Sequence, residues 1–169
     1  MEFKDKGSYE VSDKAKDMKV LIVHARWNEK VVNALVNRAA ERLVELGVAK
    51  TNIDIVSVAG SYELPFGVYA HNKNDGVTPF KETNTSRYDA TIAIGTLIKG
   101  DTMHFEFIAD AVAKELMSLQ FKISRPIIFG LLTCFTEEQA LERAGLIEGH
   151  RNLGEDWAEA AIEMAAKLK

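Results

Sequence analysis

The sequence predicts an α/β domain whose parallel sheet is covered by helices on both faces. Short β-branched runs alternate with helical patterns, and each run is apolar almost without interruption. The chain, at 169 residues, is long enough to bury one core without staples. No internal repeat, low-complexity tract or second domain interrupts the pattern, so a single domain over 18–169 follows.

"KVLIVHA" (19–25) is the first strand. Val32, Leu35, Ala39, Leu43 and Leu46 then recur at helical spacing, and Gly47 ends that helix as a C-cap. "IDIVSV" (53–58) is the second strand, and "SYELPFGVYAHN" the helix after it, with Ser61 as N-cap and Pro65 in the first turn, where a missing N–H costs little. The polar Gly- and Pro-bearing stretch 72–87 reads as a surface loop or insertion. "DATIAI" (89–94) is the third strand, and Phe105, Ile108, Val112, Leu116 and Leu119 mark one face of a long helix. "PIIFGLL" (126–132) is the fourth strand. Thr136 with Gln139 forms a capping box, and Gly145 closes that short helix. Trp157, Ala160, Ala161, Met164, Ala165 and Leu168 trace a C-terminal helix.

Composition excludes several classes of partner. Hydrophobic residues make up 47% and charged ones 27%, and a net charge of −4 supplies no basic footprint for nucleic acid. No apolar run approaches the roughly 20 residues that span a bilayer, so no membrane partner is expected. Residues 1–17 are charged throughout and read as a flexible arm rather than a secretory signal. Cys134 is the one cysteine, which rules out an internal disulfide framework and suits the reducing cytoplasm. It reads as a small buried apolar residue at a strand end or as a reactive thiol. His24, His71 and His150 stand at no metal-ligand spacing, and no metal is expected.

Ligands of open parallel sheets bind beyond the carboxyl ends of the strands. Those ends read "HARWN" (24–28), "AGSYE" (59–63), "GTLIKGDTMH" (95–104) and "FGLLTCFT" (129–136). Trp27 offers a ring face to a planar ligand or packs in the core. Glu63 suits polyol hydroxyls, or serves helix electrostatics alone. Gly100, Asp101 and Thr102 lie where a helix begins, a natural anion site, though Asp101 or Thr102 also reads as an ordinary cap. "GTLIKGDT" nearly matches the nucleotide P-loop, but Asp101 stands where that motif needs lysine, so a simpler phosphate fits better. His104, in the first turn, is placed to move protons near a bound anion, or is structural. Arg143 is a lone cation at a helix end.

Taken together, "ARWN", "GSYELP", "GTLIKGDTMHFEFI", "PIIFGLLT", "TEEQALERAG" and "AAIEMA" resemble the lumazine synthase family over about residues 20–168. The tryptophan and the spacer after "ERAG" are similar to fungal members. The resemblance implies a flavodoxin-like three-layer α/β/α sandwich with a four-stranded parallel sheet, and an enzyme of riboflavin biosynthesis. That enzyme, a transferase, condenses 5-amino-6-(D-ribitylamino)uracil with 3,4-dihydroxy-2-butanone 4-phosphate to give 6,7-dimethyl-8-ribityllumazine, phosphate and water, with no cofactor. It further implies that Trp27 stacks on the uracil and that Ser61, Tyr62 and Glu63 hold the ribityl chain. The backbone of Thr96, Leu97 and Ile98 would pair with the heterocycle, and Phe129 would cover it from a neighbouring subunit. Asp101 and Thr102 would cradle the phosphate, Arg143 of that neighbour would clamp it, and His104 would carry protons. Lys99 fits the family's basic position before the glycine.

One position departs from the family. "RNLGED" offers Leu153 where many members carry a lysine or histidine, so either Arg151 replaces that charge or Arg143 acts with less help. "LIEGHRN" is longer than in forms that close into shells, which by analogy favours a homo-oligomer in the form of a free pentamer with interfacial active sites. A non-catalytic flavin-binding module of the same fold is the competing reading.

Overall fold

The sheet carries four parallel strands in the order β2-β1-β3-β4 in the computed structural model, which describes residues 13–72 and 86–168. The strands are β1 (Val20–Ala25), β2 (Ile53–Val58), β3 (Ala90–Ile98) and β4 (Ile127–Cys134). The helices are α1 (Glu29–Glu45), α2 (Leu64–Asn72), α3 (His104–Ile123), α4 (Glu137–Arg143) and α5 (Gly154–Ala166). The all-parallel sheet between two helical layers is the predicted three-layer sandwich.

Alternate side chains of the strands feed two separate cores. Val20, Ile22, Ile92, Ile94 and Leu132 face α1 and α5, where Leu35, Leu43 and Ile162 are fully enclosed. Leu21, Val23, Ala93, Ile127 and Leu131 face α2 and α3, against Leu64, Val68, Val112, Leu116 and Leu119. Each such Leu or Ile contributes about 1.5–3 kcal/mol by leaving water. Burial on both faces therefore holds for β1 and β3. β2 lies at the sheet edge and is only half covered, with Ile55 48% exposed.

Three expectations shift. β3 runs to Ile98 rather than ending at residue 94, because β4 pairs beside it as far as Cys134. α5 buries Ala158, Ala161, Ile162 and Ala165, while Met164 and Leu168 face outward. On that same buried face Glu159 meets Arg42 of α1 at 2.7 Å. The arm expected over 1–17 is a 3-10 turn at Asp13–Asp17, with Ala15 buried in the α1–α5 core. Its earlier residues lie outside the described residues, as do residues 73–85 of the expected 72–87 loop.

The predicted caps form with some variation. Gly47 adopts φ 102° just past α1, a left-handed conformation natural to glycine. The Gln139 N–H donates to Thr136 Oγ1 at 3.2 Å, while its side-chain oxygen accepts from the Phe135 N–H at 2.8 Å. The box thus closes one residue earlier than the usual reciprocal form.

Candidate active site

The chain passes from β1 to β2 on one side, and β3 then lies on the other side of β1. The connections leaving β1 and β3 diverge there, opening a crevice at the carboxyl ends of the strands. A cleft of about 760 Å³ fills it, lined by Trp27, Asn28, Gly60, Ser61, Tyr62, Glu63, Thr96, Leu97, Ile98, His104 and Ile108. The size suits a small organic ligand.

Close backbone approach builds the walls. A Cβ on Gly60 would lie 3.3 Å from Trp27 Cδ1 and 3.2 Å from Glu63 Oε2, so the indole and the carboxylate converge over that glycine. The indole remains 74% exposed, a ring face open to solvent. A Cβ on Gly95 would lie 2.8 Å from Ser61 Oγ and 2.9 Å from Leu131 Cδ1, so only glycine lets β3 pass under residue 61. Ser61 is not the expected N-cap. It opens a 3-10 turn, Ser61–Glu63, ahead of α2, and its hydroxyl points into the packed floor. The hydroxyls of Ser61 and Thr96 are buried and have no hydrogen-bond partner among the described residues. Buried polar atoms left unsatisfied by the fold are candidates for ligand contact.

β3 outruns its neighbour. Its pairing with β1 ends at Ile94, whereas its pairing with β4 continues to Ile98. The Lys99 N–H donates to the Cys134 carbonyl at 2.9 Å, so residue 99 faces β4. By strand alternation Leu97 also faces β4, and Thr96 and Ile98 present their backbone to the cleft side. Leu97 lines the cleft as well, and its side chain packs against the α2–α3 core.

Asn28 lines the cleft too, and sequence reasoning missed it. It occupies the left-handed region at φ 58°, ψ 46°, and its Nδ2 donates to the Thr96 carbonyl at 2.8 Å. Asparagine directly after the tryptophan was the available signal, since it tolerates this conformation better than most residues.

The corner from Lys99 to Met103 joins β3 to α3, and Asp101, Thr102 and His104 are all exposed there. Met103, the N-cap, supplies no side-chain bond, while the His104 N–H reaches Thr102 Oγ1 at 3.4 Å. The first turn of α3 therefore presents N–H groups and the positive helix end outward. Nothing lies within 4 Å of where a Cβ on Gly100 would sit, which leaves this corner open. Lys99 and Glu106 form a close ion pair across it.

Phe129 and Arg143 stand apart from this cleft. Phe129 is 44% exposed on β4, and Arg143, at the end of α4, lies 3.7 Å from the Glu142 carboxylate. Arg151 is bound to Asp156 at 2.7 Å and to Glu155 at 3.6 Å, so its charge serves the start of α5. Leu153, the N-cap of α5, is half-buried. Burial pushes the Cys134 thiol up, which favours the inert reading of that residue. Among the described residues no cluster of His, Cys, Asp and Glu could hold a metal ion, and no helix is long and apolar enough to cross a membrane.

Known proteins place this architecture. The 6,7-dimethyl-8-ribityllumazine synthase of Schizosaccharomyces pombe is 48% identical, over 91% of this chain and 90% of that protein. The protein of the same name from Pyricularia oryzae is 40% identical, over 90% and 88% of the two chains. That from Streptomyces avermitilis is 38% identical, over 90% and 86%. None of these names supports a passive flavin-binding module. The family model for 6,7-dimethyl-8-ribityllumazine synthase matches residues 17–169. With that match spanning both helical layers and every strand end of the crevice, the chain belongs to the 6,7-dimethyl-8-ribityllumazine synthase family.

Proposed function

We propose that the crevice between β1 and β3 joins 5-amino-6-(D-ribitylamino)uracil to 3,4-dihydroxy-2-butanone 4-phosphate. The products are 6,7-dimethyl-8-ribityllumazine, two waters and phosphate, and the chain acts as the transferase of this step in riboflavin biosynthesis. The observation that carries this reading is the convergence of Trp27, Glu63, the open edge of β3 and His104 on one cleft beside the N-terminus of α3.

Each wall matches a part of the substrates. The Trp27 face stacks on the uracil, while the backbone of Thr96 and Ile98 meets its polar edge and Leu97 packs against it. Ser61, Tyr62 and Glu63 lie along the ribityl chain, with Tyr62 and Glu63 turned to its hydroxyls and Ser61 forming the floor beneath it. Thr102, Asp101 and the first N–H groups of α3 receive the phosphate. An exocyclic amine and a ketone condense readily, so the site acts mainly by holding two molecules together, worth up to about 7–11 kcal/mol in ideal geometry. His104 moves protons between the joined fragments, and phosphate leaves against the helix terminus and an arginine.

The site is completed by a second copy of the chain. Phe129 and Arg143 are exposed and outside their own cleft, which fits their service to a neighbouring one. Phe66, Phe107 and Phe121 are each at least 70% exposed on α2 and α3, an apolar surface suited to subunit contact. A pentamer in the cytoplasm, with the free thiol of Cys134 kept reduced, belongs to the same reading.

Incubating the purified protein with both precursors tests it. Lumazine absorbance should rise with stoichiometric phosphate release. Tight riboflavin binding with no product would overturn the reading.

A further inference from the structure

We infer that the Lys99–Glu106 ion pair is a positioning device that holds the phosphate-receiving corner in its working shape. The pair spans a seven-residue separation and closes the chain segment that contains Gly100, Asp101, Thr102 and His104. Little else braces that segment. Its central residues are exposed, nothing lies within 4 Å of where a Cβ on Gly100 would sit, and its internal bond from the His104 N–H to Thr102 is a long 3.4 Å. Lys99 is anchored at its base, because its N–H extends the β3–β4 ladder to the Cys134 carbonyl. Its ammonium also lies 5.9 Å from the centre of the Phe105 ring, which fixes the direction of the side chain. Glu106 stands in the first turn of α3, the same turn whose N–H groups would meet the anion.

The pair has an electrostatic role as well. A carboxylate in a first helical turn occupies the same positive helix end that a phosphate would use. Lys99 and the backbone amide of Glu106 hold that carboxyl below its ordinary range, so it stays ionised. Left alone it would repel a dianion; paired with Lys99, its charge is cancelled. Lys99 thus acts through Glu106 and the backbone, without touching the phosphate itself.

This inference rests on the corner being the phosphate seat, and the experiment separates the two. Steady-state kinetics with each substrate varied in turn are measured for Lys99→Ala, Glu106→Gln, and the exchange Lys99→Glu with Glu106→Lys, beside Thr102→Val and Arg143→Ala as reference variants. Lys99→Ala, which loses the brace and leaves the Glu106 charge bare, should raise KM for the butanone phosphate by about three- to tenfold, and Glu106→Gln, which loses the brace alone, should raise it by less. KM for the ribitylaminouracil should stay within about twofold. The exchange should recover most of the loss. If Glu106→Gln instead lowers KM for the phosphate substrate and the exchange fails to rescue, Lys99 is a direct phosphate ligand and the brace is wrong. Equal rises in both KM values, tracking a fall in Tm, would also overturn it. Should Thr102→Val and Arg143→Ala leave KM for the phosphate substrate unchanged, the seat itself is misplaced and the brace falls with it. If those two raise KM while the pair variants are silent, the brace alone is refuted.

Discussion

Asn28 ties the end of β1 to the overhanging end of β3: its side-chain amide donates to the Thr96 carbonyl at 2.8 Å, from a backbone in the left-handed region. This bond joins two residues that line the cleft and holds the residue next to Trp27. Asn28→Gly keeps the backbone conformation and loses the bond, whereas Asn28→Ala loses both. Asn28→Gly should cost about 1 kcal/mol of stability, and Asn28→Ala about 1–2 kcal/mol more. Urea denaturation checks the order of the two.

Trp27 emission should be quenched by a ribityl-pyrimidine analogue. Trp157 is partly buried in the α1–α5 core and would add a constant signal, so the titration is best made in a Trp157→Phe background. Unchanged emission at saturation would remove the stacking role.

Replacing His104 with alanine should slow turnover by roughly 10²–10⁴-fold, with ligand affinity nearly intact. Positioning survives in that variant, so measurable activity should remain. A fall in affinity at unchanged turnover would contradict proton transfer by this residue.

Arg143→Ala should weaken the butanone phosphate specifically, by about 1.5–3 kcal/mol from lost charge-assisted bonds. Because Arg143 and His104 are assigned to one cleft from two chains, mixing the two impaired variants under subunit exchange should raise activity above that of either alone. Mixtures no better than the sum of their parts would place both residues in one chain's own site.

Acid should expose the clamp within the last two turns of α1. The Arg38 and Arg42 guanidiniums hold the Glu45 carboxyl down to about 2, against 4.5 in the unstructured chain. The folded state therefore binds fewer protons than the unfolded one at this group, and its stabilisation is complete above pH 4.5 and lost as pH falls through about 2. Glu45→Gln should flatten that part of the stability–pH curve, measured by denaturant midpoint. An unchanged acid limb would show that solvent screens the pair completely.

The fold was largely legible because parallel strands buried on both faces leave a long apolar signature, which β1 and β3 carry. It was less legible at β3's end, where Gly95, Lys99 and Gly100 look like a turn although the chain stays extended to Ile98. Only β4's register explains that extension, and register is a tertiary property. In the same way Trp27, Glu63 and His104 could be picked out by residue type at strand ends. Asn28 could not, since its importance lies in a bond to a residue 68 positions away. The pairing of Glu159 with Arg42 across the helix pair is likewise a contact between distant residues.

The overhang of β3 past β1 has one more consequence. A strand without a neighbour leaves its amide hydrogens to trade with the bulk, and Ile98 stands at such a place. A flat heterocycle bound there as proposed would do the work of an absent strand. Deuterium uptake at this single peptide group would then follow occupancy of the pocket, with no label on the substrate.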